Sequence, residues 1–348
     1  MKGNRVLMLE HIKYIVLWAT NDCNLRCKYC YAHGGEKKDY MSFEAAKRAV
    51  ELPRGSFKLQ IAGGEPFMNF SLIKEIHDYL KMHKPRTRMQ LQTNGMMIDG
   101  KIAKEIKEMN IGIGVSLDGP FEINESLRGG TIEAINGIKA LGAYGIMTNL
   151  NCVVTSASVE KLDELVDLAF YLGNIGGIGL DLLRETGRAE SSGIKKASPG
   201  QVAENLWKAW RRTEELYRLT GKKVAIREIE DAKKRIHEIQ GCNDYCYAVS
   251  GSSMVVLPDG DLYPCGSLVR KKAYYMGNIY HESTYREVKL DIERPESCNS
   301  CKYGKICMGA CPARSIINSD GRGFTKEDCA LRKTAFEIAE KEYKRCYN

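Results

Sequence analysis

The chain has 348 residues, of which 43% are hydrophobic and 28% are charged, a composition expected of a soluble globular protein. This length allows one large core with a smaller module, or two domains. Its 52 basic and 44 acidic residues give a formal net charge of +8 without a dense basic run, so nucleic acid is not an expected partner. No apolar run is long enough for a membrane helix or a signal peptide, so we expect a cytoplasmic protein with no membrane partner.

Strand-like and helix-like segments alternate through the first half of the chain. Six strands separated by helices predict an α/β fold, in which a parallel sheet curls into a partial (β/α)6 TIM-like barrel over residues 1–185. The predicted strands are 14–18, 57–61, 87–92, 111–117, 146–154 and 175–183. The predicted helices between them are 42–52, 71–83, 100–109, 130–141 and 159–171.

Three cysteines follow the first strand, in the stretch Cys23-Asn-Leu-Arg-Cys27-Lys-Tyr-Cys30. A cytosolic chain keeps its thiols reduced, so metal ligation explains them better than disulfides. Structural zinc prefers four protein ligands, and no fourth cysteine or histidine lies at finger-like spacing. Three thiolates therefore fit an iron–sulfur cube with one iron left open, at the strand end where parallel α/β folds carry their active sites. The alternative is that these cysteines only pack.

This motif resembles the signature of radical S-adenosylmethionine (SAM) enzymes, CxxxCxΦC, in which Φ is an aromatic residue, here Tyr29. The resemblance implies that Cys23, Cys27 and Cys30 hold a [4Fe–4S] cluster whose open iron binds the amino and carboxylate groups of SAM. It also implies that one electron from an external donor cleaves SAM to methionine and a 5′-deoxyadenosyl radical.

Glycine-rich or polar motifs recur where later strands end, which predicts that they share one face of the sheet. The motif Gly63-Gly64-Glu65-Pro66 ends the second strand, and its glycines allow a close approach of backbone to a ligand. The resemblance implies that it contacts the SAM amino group, and we expect Glu65 to have little packing to lose; a plain turn is the alternative. Asn94 ends the third strand. By resemblance, Ser116 and Asp118 lie near the SAM ribose and methionine, and Arg128 is a candidate for its carboxylate, although Asp118-Gly-Pro could instead only initiate a turn.

A polar stretch after the sixth strand predicts a domain boundary. Residues 186–240 are expected to form a polar linker with helices at 201–219 and 228–239. From residue 241 the cysteine density rises and hydrophobic periodicity weakens, so metal sites would have to stabilise residues 241–348.

The cysteine spacing in this last segment resembles the SPASM extension of radical SAM enzymes. The resemblance implies a small domain with two auxiliary [4Fe–4S] clusters, and three clusters in all. Residues 258–260 predict a hairpin turn between strands at 254–257 and 262–263. Two zinc ribbons are the alternative, since CxxC pairs also bind zinc. The signature cysteines are Cys246, Cys265, Cys298, Cys301, Cys307, Cys311 and Cys329.

Cys242 lies outside the signature, four residues before Cys246. Resemblance to the sulfatase maturases assigns two sets of four ligands: Cys242, Cys246, Cys265 and Cys311 to one cluster, and Cys298, Cys301, Cys307 and Cys329 to the other. Both clusters would then be fully ligated and would relay electrons. The alternative leaves Cys242 unligated and one iron free to bind a substrate thiol. Cys152 is predicted to be a small buried residue, and no catalytic acid or base is assigned.

Together the motifs resemble enzymes that abstract a hydrogen atom from a peptide or protein, such as anaerobic sulfatase maturases and peptide maturases that make thioether or carbon–carbon links or epimerise residues. Two departures limit the resemblance. The sulfatase maturases carry an acidic residue where this chain has Gly266, which puts formylglycine formation in doubt. About a dozen residues precede the first strand, too few for a leader-binding domain, so a separate recognition protein or a leaderless substrate is expected.

Two other functions remain open from the sequence. One is a radical SAM dehydrogenase or epimerase that acts on a small molecule with the same clusters. The other is a non-catalytic electron-transfer or zinc-ribbon scaffold, although the open position of the three-cysteine motif argues against it.

Overall fold

In the computed structural model, which describes residues 9–238, 245–290 and 292–347, one sheet runs through the molecule. Its strand order is β10-β9-β8-β1-β2-β3-β4-β5-β6-β7, and β1 to β7 are parallel neighbours in chain order. The strands are β1 (Tyr14–Trp18), β2 (Lys58–Ala62), β3 (Arg88–Thr93), β4 (Gly112–Ser116), β5 (Thr148–Val154), β6 (Ile175–Leu182), β7 (Ala225–Ile226), β8 (Ser253–Val256), β9 (Asp261–Tyr263) and β10 (Gly277–Asn278).

Several helices begin at side chains that cap their free N–H groups. Ser42 and Asp99 each accept a backbone hydrogen bond at a helix start, and Ser198 and Gln201 form a capping box. None of the described helices is long and apolar enough to cross a membrane. The helices are α1 (Phe43–Glu51), α2 (Phe70–His83), α3 (Gly100–Met109), α4 (Phe121–Leu127), α5 (Thr131–Ala143), α6 (Leu162–Leu172), α7 (Pro199–Thr220), α8 (Arg227–Glu238), α9 (Pro312–Ser319) and α10 (Lys326–Tyr347).

The α/β class and the parallel sheet predicted from the sequence are confirmed. All six predicted strands form, and each ends within two residues of its predicted bounds. The segment 186–240, expected to be a linker with helices, also extends the barrel: β7 pairs with β6 in parallel, and α7 and α8 pack against α10. Strand β7 was not predicted, because two residues carry no periodic signal, and α4, α9 and α10 were likewise not predicted.

The two faces of the barrel sheet differ in polarity. Outward-facing residues such as Leu150 and Val154 are buried in the main hydrophobic core beneath the helices. The inward-facing residues of β3 and β4 include polar and small side chains. Gln92 Nε2 donates to Ser116 Oγ at 2.9 Å, and Asn151 donates to the Gln92 side-chain oxygen. The barrel therefore encloses a polar inner face beside the strand ends that lead into the cysteine loop.

The cysteine-rich C-terminal region is joined to the barrel through the sheet itself. The predicted hairpin forms, with β8 and β9 antiparallel and Gly260 at a φ of 87° in the turn between them. Strand β8 also pairs in parallel with β1, from Tyr14 opposite Ser253 to Leu17 opposite Val256. This region is thus a continuation of the barrel sheet and shares its hydrogen-bond ladder.

Candidate functional site

The loop after β1 carries Cys23, Cys27 and Cys30 as free thiols at the C-terminal edge of the sheet. Cys27 and Tyr29 are buried, while Cys23 and Cys30 are half-buried. Burial raises the pKa of the Cys23 thiol to about 11 and also raises the pKa of Cys27. A metal centre at this loop must therefore displace thiol protons to bind thiolates.

Two backbone N–H groups of this region point at thiol sulfurs. The Leu25 N–H donates to Cys23 Sγ at 3.4 Å, and the Gly34 N–H donates to Cys30 Sγ at 3.5 Å. Such N–H groups stabilise negative charge on sulfur. The loop is therefore arranged to hold thiolates.

Arg188 holds the cysteine loop in place. Its Nε donates to the Cys27 carbonyl oxygen at 3.1 Å, and Nη1 and Nη2 both donate to the Gly34 carbonyl oxygen at 3.2 Å. The Arg188 backbone N–H donates to the Cys30 carbonyl oxygen at 3.1 Å, and Glu36 forms an ion pair with the guanidinium at 3.2 Å. Arg188 was not predicted from the sequence, because a single arginine in a polar stretch carries no motif.

The two glycines of the GGEP motif contact the protein's own backbone. Gly63 has a φ of 136°, and a Cβ there would clash with the Thr20 carbonyl oxygen. A Cβ at Gly64 would clash with the Asp22 carbonyl oxygen. Glycine is therefore required at both positions by the protein itself, because the loop that leads into the cysteines packs against them. The close approach of a ligand that we predicted from the sequence would be a second reason for these glycines.

Glu65 is 0% exposed, and its carboxylate is engaged within the protein. Oε1 accepts from the Phe67 N–H at 3.2 Å and from Thr93 Oγ1 at 2.7 Å, and Oε2 accepts from the Asn94 N–H at 2.8 Å. It thereby caps the short 3-10 helix Pro66–Asn69. Our expectation that Glu65 has little packing to lose is wrong, because its removal leaves buried donors unpaired. The Asn94 side chain reaches the cysteine loop, where its Nδ2 donates to Asn24 Oδ1 at 2.7 Å.

Asp118 accepts a hydrogen bond from the aromatic residue of the cysteine motif, Tyr29. The Tyr29 hydroxyl donates to one Asp118 oxygen, and the other oxygen accepts the Val153 N–H at 2.8 Å. Arg128 Nη1 donates to the Tyr29 hydroxyl at 2.6 Å, and its guanidinium lies 5.9 Å from the centre of the Tyr29 ring. Burial raises the pKa of Asp118, and Arg128 opposes this shift. Asp118 is fully buried, so it positions the aromatic residue of the cysteine motif, whereas Ser116 faces the polar interior.

Three cysteines of the first auxiliary set come together. Cys246 and Cys265 are half-buried and pack against the buried Cys311 in one hydrophobic cluster below the β8–β9 hairpin. Cys242, the proposed fourth member, lies outside the described residues. Cys152, outside both sets, is fully buried in the main core, as expected.

The four cysteines of the second auxiliary set line one open cavity of about 270 Å³ near the start of α10. Arg294 fixes one side of this cavity, since its Nη2 donates to the Gly304 and Cys307 carbonyl oxygens at 2.6 and 3.3 Å. Tyr303 and Phe336 stack with ring centres 4.9 Å apart and form part of its wall. The cysteines that line it are Cys298, Cys301, Cys307 and Cys329.

The cysteine sets in the described ranges supply thiol donors, which are the ligands that iron–sulfur cubes use. No three His, Cys, Asp or Glu side chains among those residues lie close enough to ligate one metal ion. The donor set, the cavity and the N–H groups at sulfur all fit iron–sulfur cubes.

Trp18, at the end of β1, lies between the GGEP motif and the auxiliary cysteines. A Cβ at Gly63 would be 3.1 Å from Trp18 Cδ1, and a Cβ at Gly266 would be 3.2 Å from Cζ3 and 3.6 Å from the Tyr31 hydroxyl. Trp18 is only 3% exposed, yet its Nε1 has no hydrogen-bond partner among the described residues. A buried donor of this kind is normally paired, so it is available to an acceptor on a bound molecule.

Family models match two separate parts of the chain, and curated proteins match most of its length. Residues 19–169 match the radical SAM superfamily, and residues 246–302 match the SPASM iron–sulfur cluster-binding domain. The chain is 31% identical to an uncharacterized protein of Methanocaldococcus jannaschii, with 85% of this chain and 98% of that protein covered. It is 27% identical to a cysteine-type anaerobic sulfatase-maturating enzyme of Clostridium perfringens, with 93% of each covered.

Two solved structures share the fold. Native anSMEcpe with bound AdoMet superposes with a TM-score of 0.78 at 23% identity, covering 95% of this chain and 97% of that one. Streptococcus suis SuiB bound to its precursor peptide SuiA gives a TM-score of 0.65 at 18% identity, covering 95% of this chain and 78% of that one. Both similarities include the barrel and the cysteine-rich region.

Proposed function

Because this chain belongs to the radical SAM superfamily and carries a C-terminal SPASM domain, we propose that it modifies a peptide or protein substrate. The family predicted from its cysteine patterns is thereby confirmed. The cofactors supply a 5′-deoxyadenosyl radical that abstracts a hydrogen atom from the substrate after one electron arrives from an external donor. A cytoplasmic location is part of the proposal, because the described cysteines form no disulfide with one another.

We assign the SAM-binding [4Fe–4S] cluster to Cys23, Cys27 and Cys30. The half-buried Arg128 is the proposed partner of the SAM carboxylate, and its bond to Tyr29 orients it toward the cysteine loop. Glu65 acts by fixing the GGEP loop, whose backbone then meets the SAM amino group. Ser116 and Asn94 are proposed to complete the SAM site from neighbouring strand ends.

We assign one auxiliary cluster to Cys242, Cys246, Cys265 and Cys311, and the other to the four cysteines of the cavity near α10, which gives three clusters in all. Full ligation predicts that neither auxiliary cluster binds an added thiol in the wild type. Cys242→Ala should gain such a site, visible as a change in the electron paramagnetic resonance (EPR) spectrum on adding thiol. Thiol binding to the wild type would instead indicate an open iron and a thioether-forming reaction.

The observation that carries the choice of a peptide substrate is the polar inner face next to the cysteine loop. The amides of Gln92 and Asn151 and the Ser116 hydroxyl can exchange their mutual hydrogen bonds for those of a peptide backbone. A Cβ at Gly114 would lie within 2.9 Å of both amides, so glycine at this position leaves room for the two amides to contact each other above β4. The related enzyme of Clostridium perfringens acts on a sulfatase, and SuiB binds a precursor peptide.

We do not extend the proposal to formylglycine formation. The sulfatase maturases have an acidic residue where this chain has Gly266. The space beside Gly266 is taken by the Trp18 ring at 3.2 Å and the Tyr31 hydroxyl at 3.6 Å. Burial raises the pKa of Tyr31, so its hydroxyl stays protonated and offers no phenolate to take a substrate proton.

The decisive experiment measures substrate-dependent 5′-deoxyadenosine. The protein is reconstituted anaerobically with iron and sulfide, reduced with dithionite, and incubated with SAM and peptides encoded beside its gene. We expect a peptide to stimulate 5′-deoxyadenosine release and to change mass, and deuterium from the labelled peptide to enter the nucleoside. Cys27→Ala should abolish cleavage, whereas Cys152→Ala, which removes a buried thiol outside every ligand set, should not. Deuterium transfer from a sugar or another small molecule would overturn the peptide assignment, and no cleavage at all would indicate a scaffold.

A further inference from the structure

Arg184 extends from the barrel toward the first auxiliary set of cysteines. It lies just beyond the end of β6, and its side chain is 14% exposed. Its Nη2 lies 3.9 Å from Cys311 Sγ, within hydrogen-bonding range of a sulfur acceptor. Its Cζ lies 5.7 Å from the centre of the Tyr31 ring, next to the cysteine loop. One guanidinium therefore lies between the front cysteine loop and the auxiliary cysteines.

Asp181 fixes the orientation of this guanidinium. Arg184 Nη1 donates to Asp181 Oδ2 at 2.6 Å, and the other oxygen accepts from Arg314 Nη1 at 2.8 Å. Arg314 is fully buried in turn between Asp181 and Asp328, which it bonds at 2.9 and 2.5 Å. With both carboxylate oxygens engaged, the rotation of Arg184 is restricted and Nη2 remains directed at Cys311.

One further donor of Arg184 is buried and unused. Its Nε has no hydrogen-bond partner among the described residues and is shielded from solvent. An unpaired buried donor on a charged group is energetically costly, so such groups are nearly always paired. Cys311 and Cys265 both lie near this guanidinium, so a metal centre that they ligate would supply a sulfur acceptor for Nε.

We propose that Arg184 is a positioning residue of the first auxiliary cluster, which it holds through N–H···S hydrogen bonds and whose reduction potential it raises. The inference rests on the proposed function, since it requires that Cys246, Cys265 and Cys311 ligate a [4Fe–4S] cluster. Hydrogen bonds to sulfur and nearby positive charge both stabilise the more negative, reduced state of a cluster. Through Arg184, the end of the sixth barrel strand controls how readily this cluster accepts an electron.

The test is a potentiometric titration followed by EPR, which needs no substrate. The full-length chain carries Cys23→Ala, Cys27→Ala and Cys30→Ala together, so that only the auxiliary clusters contribute signals. Arg184→Gln and Arg184→Lys are compared with this background. Arg212→Gln is the matched control, because Arg212 on α7 also bonds two acidic side chains, at 2.6 and 2.7 Å, and its hydrogen bonds among the described residues involve no cysteine.

We expect one of the two auxiliary midpoint potentials to become more negative in Arg184→Gln, and to shift less in Arg184→Lys, which keeps the charge. The second midpoint potential, and both potentials in Arg212→Gln, should not move. If Arg184→Gln loses iron, Arg184→Lys still tests the shift. Unchanged potentials in both Arg184 variants, or equal shifts of both clusters, would overturn the inference while leaving the proposed function intact. A background protein that assembles no auxiliary cluster would overturn both.

Discussion

Replacing Arg188 by alanine should release the loop that carries the three front cysteines. The guanidinium is 18% exposed and makes three hydrogen bonds to the Cys27 and Gly34 carbonyl oxygens. A hydrogen bond from a charged donor contributes about 1.5–3 kcal/mol, but two of these share one acceptor and do not add fully. The ion pair with the exposed Glu36 adds little, because water screens it. We therefore expect Arg188→Ala to make the ordered loop less stable by about 2–4 kcal/mol.

The assay combines iron content with EPR of the reduced protein. Arg188→Ala should lose the SAM-responsive cluster signal and retain the auxiliary signals, because the loss is confined to the loop. Arg188→Lys, which cannot reach both carbonyl groups at once, should show a partial loss. Arg212→Ala is the matched control and should resemble the wild type, since its partners lie on the surface. Full iron content and normal SAM cleavage in Arg188→Ala would refute the reasoning.

The remaining predictions concern the cofactor loop, its neighbour and the link to the C-terminal region. Cys27→Ala should lower iron content by about one cluster's worth and leave the auxiliary EPR signals, as their ligands are separate cysteines; loss of all iron would contradict this. Glu65→Ala should lower stability by about 2–4 kcal/mol in denaturant and weaken SAM binding measured by calorimetry, because three buried hydrogen bonds are lost; unchanged melting would oppose it. Burial raises the pKa of Asp181, but Arg184 and Arg314 outweigh it and lower the pKa from 3.8 to about 2. The stability from this carboxylate is therefore present above about pH 4 and lost as the pH falls toward 2, so Asp181→Asn should flatten the acid end of the unfolding curve.

The periodic parts of the fold were predictable from the sequence. The strands of the barrel were found because each is a short apolar run between polar turns, and the cysteine loop was placed correctly because it follows one of them. Strand β7 was not found, since two residues have no periodicity, and α10 was missed because its cysteine and charged residues obscure its apolar face.

The candidate site was predictable only where residues form a motif. The cysteines and the GGEP glycines have fixed spacings, but the reason for the glycines was incomplete, because their contact with Thr20 and Asp22 depends on how the loop folds back. Arg188 and Arg184 contact the cysteines or their loop over long sequence separations. Such contacts leave no periodic signal in the sequence, so only the three-dimensional structure identifies them.

The pairing of β8 with β1 has a consequence for folding during synthesis. Strand β1 forms near the start of the chain, but the partner on its outer edge, residues 253–256, is made some 240 residues later. Until then the nascent barrel has an unpaired parallel edge directly beside the cysteine loop, and an unpaired edge invites pairing with other chains. Long-range pairing of this kind is slow to form. During synthesis, aggregation through this edge therefore competes with cluster assembly on the front loop and with the pairing of β8. Chains that stop before β8 should accumulate as insoluble protein.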